Sequence, residues 1–168
     1  MRERVLVAGI GNVFLGDDGF GVAVAQRLLA RGAPAGADVV DAGIRGFDLA
    51  CALLEDYDAA ILVDTVHRDG PPGTLYVLDI DPGDPGDDAP AEPVEAHGLA
   101  PHRVLALVRA LGGGPRRLRL VGCEPAPLGA GDDVTAGLSA AVAAAVEPAA
   151  ALVASLVAEL RTSAVPRA

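Results

Sequence analysis

The chain has 168 residues, a formal net charge of −10 and 51% hydrophobic residues. That length suits one domain, residues 1–168, with a single core, and the acidic balance makes nucleic acid and anionic membrane poor partners. Lysine and tryptophan are absent, and the serines (Ser139, Ser155, Ser163) all fall near the C-terminal end, which excludes a Walker-type phosphate loop, a Schiff base, a lysine base and an elbow serine nucleophile.

The start, Met1 to Arg4, leads directly into an apolar strand, Arg4 to Ala8, with no signal-peptide h-region ahead of it. Next comes Gly9-Ile10-Gly11-Asn12-Val13-Phe14-Leu15-Gly16-Asp17-Asp18-Gly19-Phe20-Gly21, a glycine-rich turn that carries two adjacent carboxylates into a helix from Gly19 to Ala30. A dinucleotide fingerprint would require glycine where Phe14 stands, and paired acids would repel a phosphate. Carboxylates here suit a cation or the positive end of the helix dipole. Asp17 fits a helix cap, which leaves Asp18 unexplained.

Further strands read at Ala37 to Asp41, Ala59 to Asp64, Thr74 to Asp79 and Leu118 to Gly122, with helices at Phe47 to Leu54 and Pro101 to Leu111. The stretch from Val134 to Leu160 reads as two surface-packed helices, with Pro148 in the first turn of the second, and no apolar run reads as long enough to span a membrane. The alternation predicts a three-layer α/β sandwich with a mostly parallel sheet and helices on both faces. Only a turn, Gly70-Pro71-Pro72-Gly73, joins the third and fourth strands; it has no room for a crossover, so the fourth strand is expected to be antiparallel. The acidic, proline-rich segment from Asp81 to Pro90 then climbs back to the carboxyl edge.

Ligands of open α/β sheets bind outside the carboxyl ends of the strands. Polar clusters converge there: Asn12 to Asp18, Asp41-Ala42-Gly43, Asp64-Thr65 and Cys123-Glu124-Pro125, joined by Glu95-Ala96-His97-Gly98 at the start of the third helix. Asp18, Asp64 and His97 are thus expected to share one cleft, a mixed oxygen and nitrogen donor set suited to nickel, zinc or manganese. Taken singly, each has a structural reading: Asp18 on the helix dipole, Asp64 capping its turn, His97 capping a carbonyl. Asn12 reads as a turn holder ahead of an oxyanion donor. His67 and His102 read as surface, Cys51 as core on an apolar helix face, and Cys123 as buried filler. Two cysteines make no disulfide framework, so a reduced, cytoplasmic setting is the default.

At these residues the chain resembles the hydrogenase maturation proteases, endopeptidases that process the large subunit of nickel-iron hydrogenases. The resemblance runs from Gly9 through Asp17-Asp18-Gly19 to Gly21, then through Asp41, Leu62-Val63-Asp64, His97-Gly98-Leu99, Val104 to Leu107 and Val121 to Pro125, in order along nearly the whole chain. It implies a twisted five-stranded sheet between helices, and a nickel-contacting trio matching Asp18, Asp64 and His97. It also implies a single cut that releases a C-terminal extension from the large-subunit precursor after nickel insertion. The nickel is then carried by the substrate's cysteines and serves as the recognition signal. Where the family has Asp-Gly-Gly-Thr, this chain has Asp41-Ala42-Gly43-Ile44, so a threonine contact is lost. The expected chemistry is metal-dependent peptide hydrolysis, with Asp41 or a free carboxylate oxygen as base. The competing expectation is a non-catalytic chaperone that binds the nickel-loaded subunit through the same trio.

Overall fold

Along β1 (Val5–Ile10) and β3 (Ala59–Thr65) successive side chains enter two different cores. Val5, Val7, Ala59, Ile61 and Val63 pack with Phe20, Val24, Val142 and Val153, whereas Leu6, Ala8, Ala60 and Leu62 pack with Leu49, Leu53, Val104 and Val108. A near-continuous apolar run is what a strand buried on both faces requires. The molecule is a computed structural model, and it describes residues 3–81, 101–127 and 137–162.

The sheet has five strands in the order β2-β1-β3-β5-β4, with β2 at Ala37–Gly43, β4 at Leu75–Ile80 and β5 at Arg117–Cys123. Helices α1 (Phe20–Arg31) and α4 (Ala140–Thr162) cover one face, and α2 (Gly46–Leu54) and α3 (Pro101–Ala110) cover the other. The three-layer expectation therefore holds. So does the antiparallel β4, which pairs with β5 from Leu75↔Cys123 to Ile80↔Leu118, while the remaining pairs are parallel. Parallel pairing places the carboxyl ends of β1, β2, β3 and β5 along one edge.

Two expectations are corrected on the C-terminal side. The described part of the tail is one helix of 23 residues with Pro148 inside it, not two helices. Proline removes one backbone donor and crowds the carbonyl four residues back. Here Val142, Ala145, Ala149, Ala150, Val153, Leu156 and Val157 form a buried face running through that point, so burial outweighs the lost bond. This helix is also long and apolar enough, by length and composition alone, to cross a membrane, contrary to the sequence reading. Its apolar face is occupied by the core shared with α1 and the sheet. The segment from Val134 to Thr135, where the first of the two helices was expected to begin, lies outside the described residues.

Helix α1 sits unusually close to β1 and β3. A Cβ on Gly21 would stand 2.1 Å from the Val63 carbonyl oxygen and 2.3 Å from that of Ile10, and one on Gly9 would stand 2.2 Å from the Gly21 carbonyl oxygen. Only glycine allows backbone to meet backbone at that separation. The contact draws the start of α1, and the acids just before it, down onto the carboxyl edge.

Candidate functional site

The β1–α1 turn is organised by its own polar groups. Gly11 takes φ of 135°, and a Cβ there would lie 1.8 Å from the Asp18 carbonyl oxygen. The Asn12 side-chain oxygen accepts from the Phe14 N–H at 3.0 Å, and the Asn12 carbonyl accepts from the Leu15 N–H at 3.0 Å. Asn12 is thus a turn holder, as its residue type suggests. Asp18 closes the loop by accepting the Asn12 N–H at 2.7 Å through Oδ2. One oxygen of Asp18 is fixed by the backbone; the other has no hydrogen-bond donor among the described residues.

Asp17 serves a different purpose from its neighbour. It lies in a 3₁₀ turn, Gly16–Gly19, and α1 begins without any side-chain cap. Its carboxylate instead accepts the Ala126 N–H at 2.9 Å, the Ser139 N–H at 2.6 Å and the Ser139 hydroxyl at 2.9 Å. Ser139 immediately precedes α4, and its hydroxyl in turn accepts from the Val142 N–H at 3.4 Å. Asp17 therefore places negative charge at the positive end of α4 and ties three segments together. The expected capping role is corrected from α1 to α4, because the short turn aims Asp17 across the molecule.

Asp64, the penultimate residue of β3, lies on the α2/α3 side of the sheet, in alternation with Leu62. Its Oδ1 accepts the Thr65 N–H at 2.8 Å. Burial pushes the Asp64 carboxyl up to about 7; the Thr65 hydrogen bond opposes this and the Asp18 charge adds to it. Asp18 and Asp64 are therefore close enough to feel each other. Among the described residues neither forms an ion pair. Two neighbouring carboxylates with no ion-pair partner among the described residues, one of them raised by burial, are chemically suited to receive a divalent metal.

Asp41 lies elsewhere along the edge. It pairs with Gly9 on the α1 side of the sheet, its Oδ2 accepts from the Gln26 amide of α1 at 3.3 Å, and β1 separates its strand from β3. Arg45 donates to the Asp41 carbonyl and to that of Ala42, which steadies the β2–α2 turn. His97 lies outside the described residues, as does the whole Glu95 to Gly98 cluster. Consistent with that, no group of three histidine, cysteine, aspartate or glutamate side chains able to hold a metal occurs among the described residues.

Glu124, directly after β5, also stands at this edge. It is the one buried charged residue described, 5% exposed, and accepts from the Arg68 N–H at 2.8 Å and the Tyr76 hydroxyl at 3.2 Å. Burial alone would raise its carboxyl, yet donation by the Arg68 and Gly70 N–H groups and Tyr76, with His67 nearby, holds it below the ordinary carboxylate range. It clasps the β3–β4 connection onto β5. The sequence signal was a lone glutamate flanked by cysteine and proline at a strand end. His67 and His102 are exposed, as read. Cys123 is buried, and its thiol is pushed up to about 11 by burial and then by the Asp17 and Glu124 charges. Cys51 is corrected from core to surface: α2 buries Leu49, Ala50 and Leu53, and Cys51 points away from that face.

Comparisons with known proteins agree with this architecture. The family model described as hydrogenase maturation protease matches residues 22–156. The chain is similar to the hydrogenase expression/formation protein HupD of Rhodobacter capsulatus, 37% identical over 131 residues, which is 75% of this chain and 59% of that protein. The chain spans 53% to 65% of the length of the first three curated relatives it matches. Among solved structures it is similar to the hydrogenase maturating endopeptidase HybD of Escherichia coli, with a TM-score of 0.72 and 29% identity over 93% of each chain. It is similar too to a hydrogenase 2 maturation peptidase of a Thaumarchaeota archaeon, with a TM-score of 0.68 and 32% identity over 93% of this chain and 99% of that one. A match covering most of the chain, on the same five-stranded fold, establishes that this chain belongs to the hydrogenase maturation protease family.

Proposed function

We propose that this chain is an endopeptidase that removes the C-terminal extension of a nickel-iron hydrogenase large-subunit precursor after nickel has been inserted. The observation that carries the reading is the juxtaposition of Asp18 and Asp64 at the carboxyl edge, one oxygen of each tied to backbone and no cation paired with either among the described residues. Family membership supports the substrate class. The nickel arrives with the substrate, held by the substrate's own thiolates, and the trio of Asp18, Asp64 and His97 recognises it. Docking of the metal fixes the position of the scissile bond relative to the sheet edge.

In this reading the bound metal polarises the scissile carbonyl. A carboxylate oxygen turned away from the metal takes a proton from water as the hydroxyl adds to the carbonyl carbon. The same proton then passes to the leaving amine as the C–N bond breaks. We assign that oxygen to the Asp18–Asp64 pair, with Asp41, held by Gln26, as the remaining carboxylate at this edge. A cytoplasmic setting is part of the proposal and is supported by two free thiols.

The test is the intact mass of a large-subunit precursor incubated with this protein, with and without loaded nickel. Loss of a C-terminal peptide only from the nickel-loaded sample is expected, and Asp18→Ala should abolish it. Binding without a change of mass would replace the enzyme by a metal-sensing chaperone. Cleavage at the normal rate by Asp18→Ala would remove Asp18 from the ligand set.

A further inference from the structure

Aromatic residues are scarce in this chain, with three phenylalanines in 168 residues. Phe20 is fully buried in the α1 core, but Phe14 is 77% exposed and Phe47 is 70% exposed. Leaving large apolar side chains in water forfeits the burial that would otherwise stabilise the fold. Single exposed apolar residues are ordinary, but clusters mark interaction sites. Val13 and Leu15 flank Phe14, and Ile44 stands three residues before Phe47; all three are exposed. The two groups belong to the turns after β1 and β2, which are neighbouring strands, and the Gly11 N–H donates to the Gly43 carbonyl at 3.0 Å to bind the turns together. Both groups therefore stand exposed on neighbouring turns of the same sheet edge.

Their position is the informative part. Val13, Phe14 and Leu15 occupy the span between Asn12 and Asp18, whose mutual hydrogen bond at 2.7 Å closes that same loop. A polypeptide that presents a metal centre to Asp18 meets the exposed Val13–Leu15 turn, with Ile44 and Phe47 on the neighbouring turn. A second copy of this chain is a poor occupant, because seating it here would bring two sets of edge carboxylates together on molecules of net charge −10. Strong acid partners are disfavoured for the same reason.

We propose that Val13, Phe14, Leu15, Ile44 and Phe47 form the docking surface for an apolar segment of the substrate polypeptide adjoining its metal centre. The proposal rests on the endopeptidase reading for the identity of that polypeptide. The metal supplies the signal that the substrate is ready, and the apolar segment supplies affinity and selects which precursor is accepted. Ile44, exposed on the β2–α2 turn, extends the apolar character of the rim.

The experiment compares wild type, Phe14→Ser/Phe47→Ser and Phe14→Leu/Phe47→Leu, using nickel-loaded precursor. Binding is read by calorimetry, cleavage by intact mass, and self-association by sedimentation. Two exposed aromatic anchors lost together should raise KM and Kd about 10- to 100-fold, with kcat within about twofold and thermal stability unchanged. The leucine pair should recover most of the affinity. Unchanged Kd and KM in the serine pair would overturn the proposal, as would wild-type dimers that the serine pair dissociates while precursor binding stays intact. Should wild type bind precursor without cutting it, the endopeptidase reading fails, and the docking surface still stands or falls on the same Kd shift. No binding by wild type would refute both.

Discussion

Replacing Asp64 by asparagine should stabilise the protein at neutral and alkaline pH. Its carboxyl ordinarily titrates at 3.8 and is raised to about 7 in the fold. Between those values the unfolded chain has already released this proton while the folded chain still holds it. Raising pH therefore favours unfolding, and stability is lost from about pH 4 upward until the folded carboxyl ionises near 7. The shift is about 3 units, and at ~1.4 kcal/mol per unit the ceiling is ~4 kcal/mol. About half of that falls between pH 5.5 and 8. Asparagine is isosteric, its Oδ1 still accepts the Thr65 N–H, and it removes both the desolvated charge and its repulsion with Asp18. Urea unfolding of wild type and Asp64→Asn across that pH range isolates the residue together with its coupling to Asp18, because the remaining titrations are common to both proteins. The variant should gain about 2 kcal/mol more over wild type at pH 8 than at pH 5.5, while losing activity on precursor. Parallel pH curves, or a variant less stable at pH 8, would show that Asp64 is not held against its own ionisation.

Three further outcomes follow from the geometry. Gly21→Ala should destabilise the fold by about 1–3 kcal/mol or more, since its Cβ meets two carbonyl oxygens within 2.3 Å; denaturant titration checks it, and a neutral result would mean α1 can lift from the sheet. Asp17→Ala should cost about 2–3 kcal/mol, because it strands the Ala126 and Ser139 donors; hydrogen exchange should show the loss concentrated at the start of α4. Of the two thiols, exposed Cys51 should react promptly with a disulfide reagent, and Cys123, buried with its thiol raised to about 11, should react only on unfolding. Two fast thiols would refute that burial.

Much of this protein was legible in order along the chain. The continuous apolar runs Val5 to Ala8 and Ala59 to Val63 announce two-faced burial, and the short Gly70 to Gly73 turn forces β4 to be antiparallel, so the carboxyl edge and the acids on it follow. What failed was whatever depends on which side of a helix wins. Cys51 lies on a helix apolar nearly all round, and only the docking of α2 through Leu49 and Leu53 turned it outward. Pro148 carries a local breaking signal that the buried face of α4 overrides.

By itself the sequence determined the period of each element, the connection lengths, and hence the edge where Asp18, Asp41 and Asp64 gather. Those properties are local, set by backbone sterics and the spacing of apolar side chains. Only the tertiary structure decided what each carboxylate faces. Asp17 reaches Ser139 across 122 positions and becomes a strut, while Asp18, one residue later, accepts from the Asn12 N–H and lends its charge to Asp64. Composition and local spacing give adjacent acids the same character, and it is burial and the donors within reach that give one a structural task and leave the other near a second carboxylate.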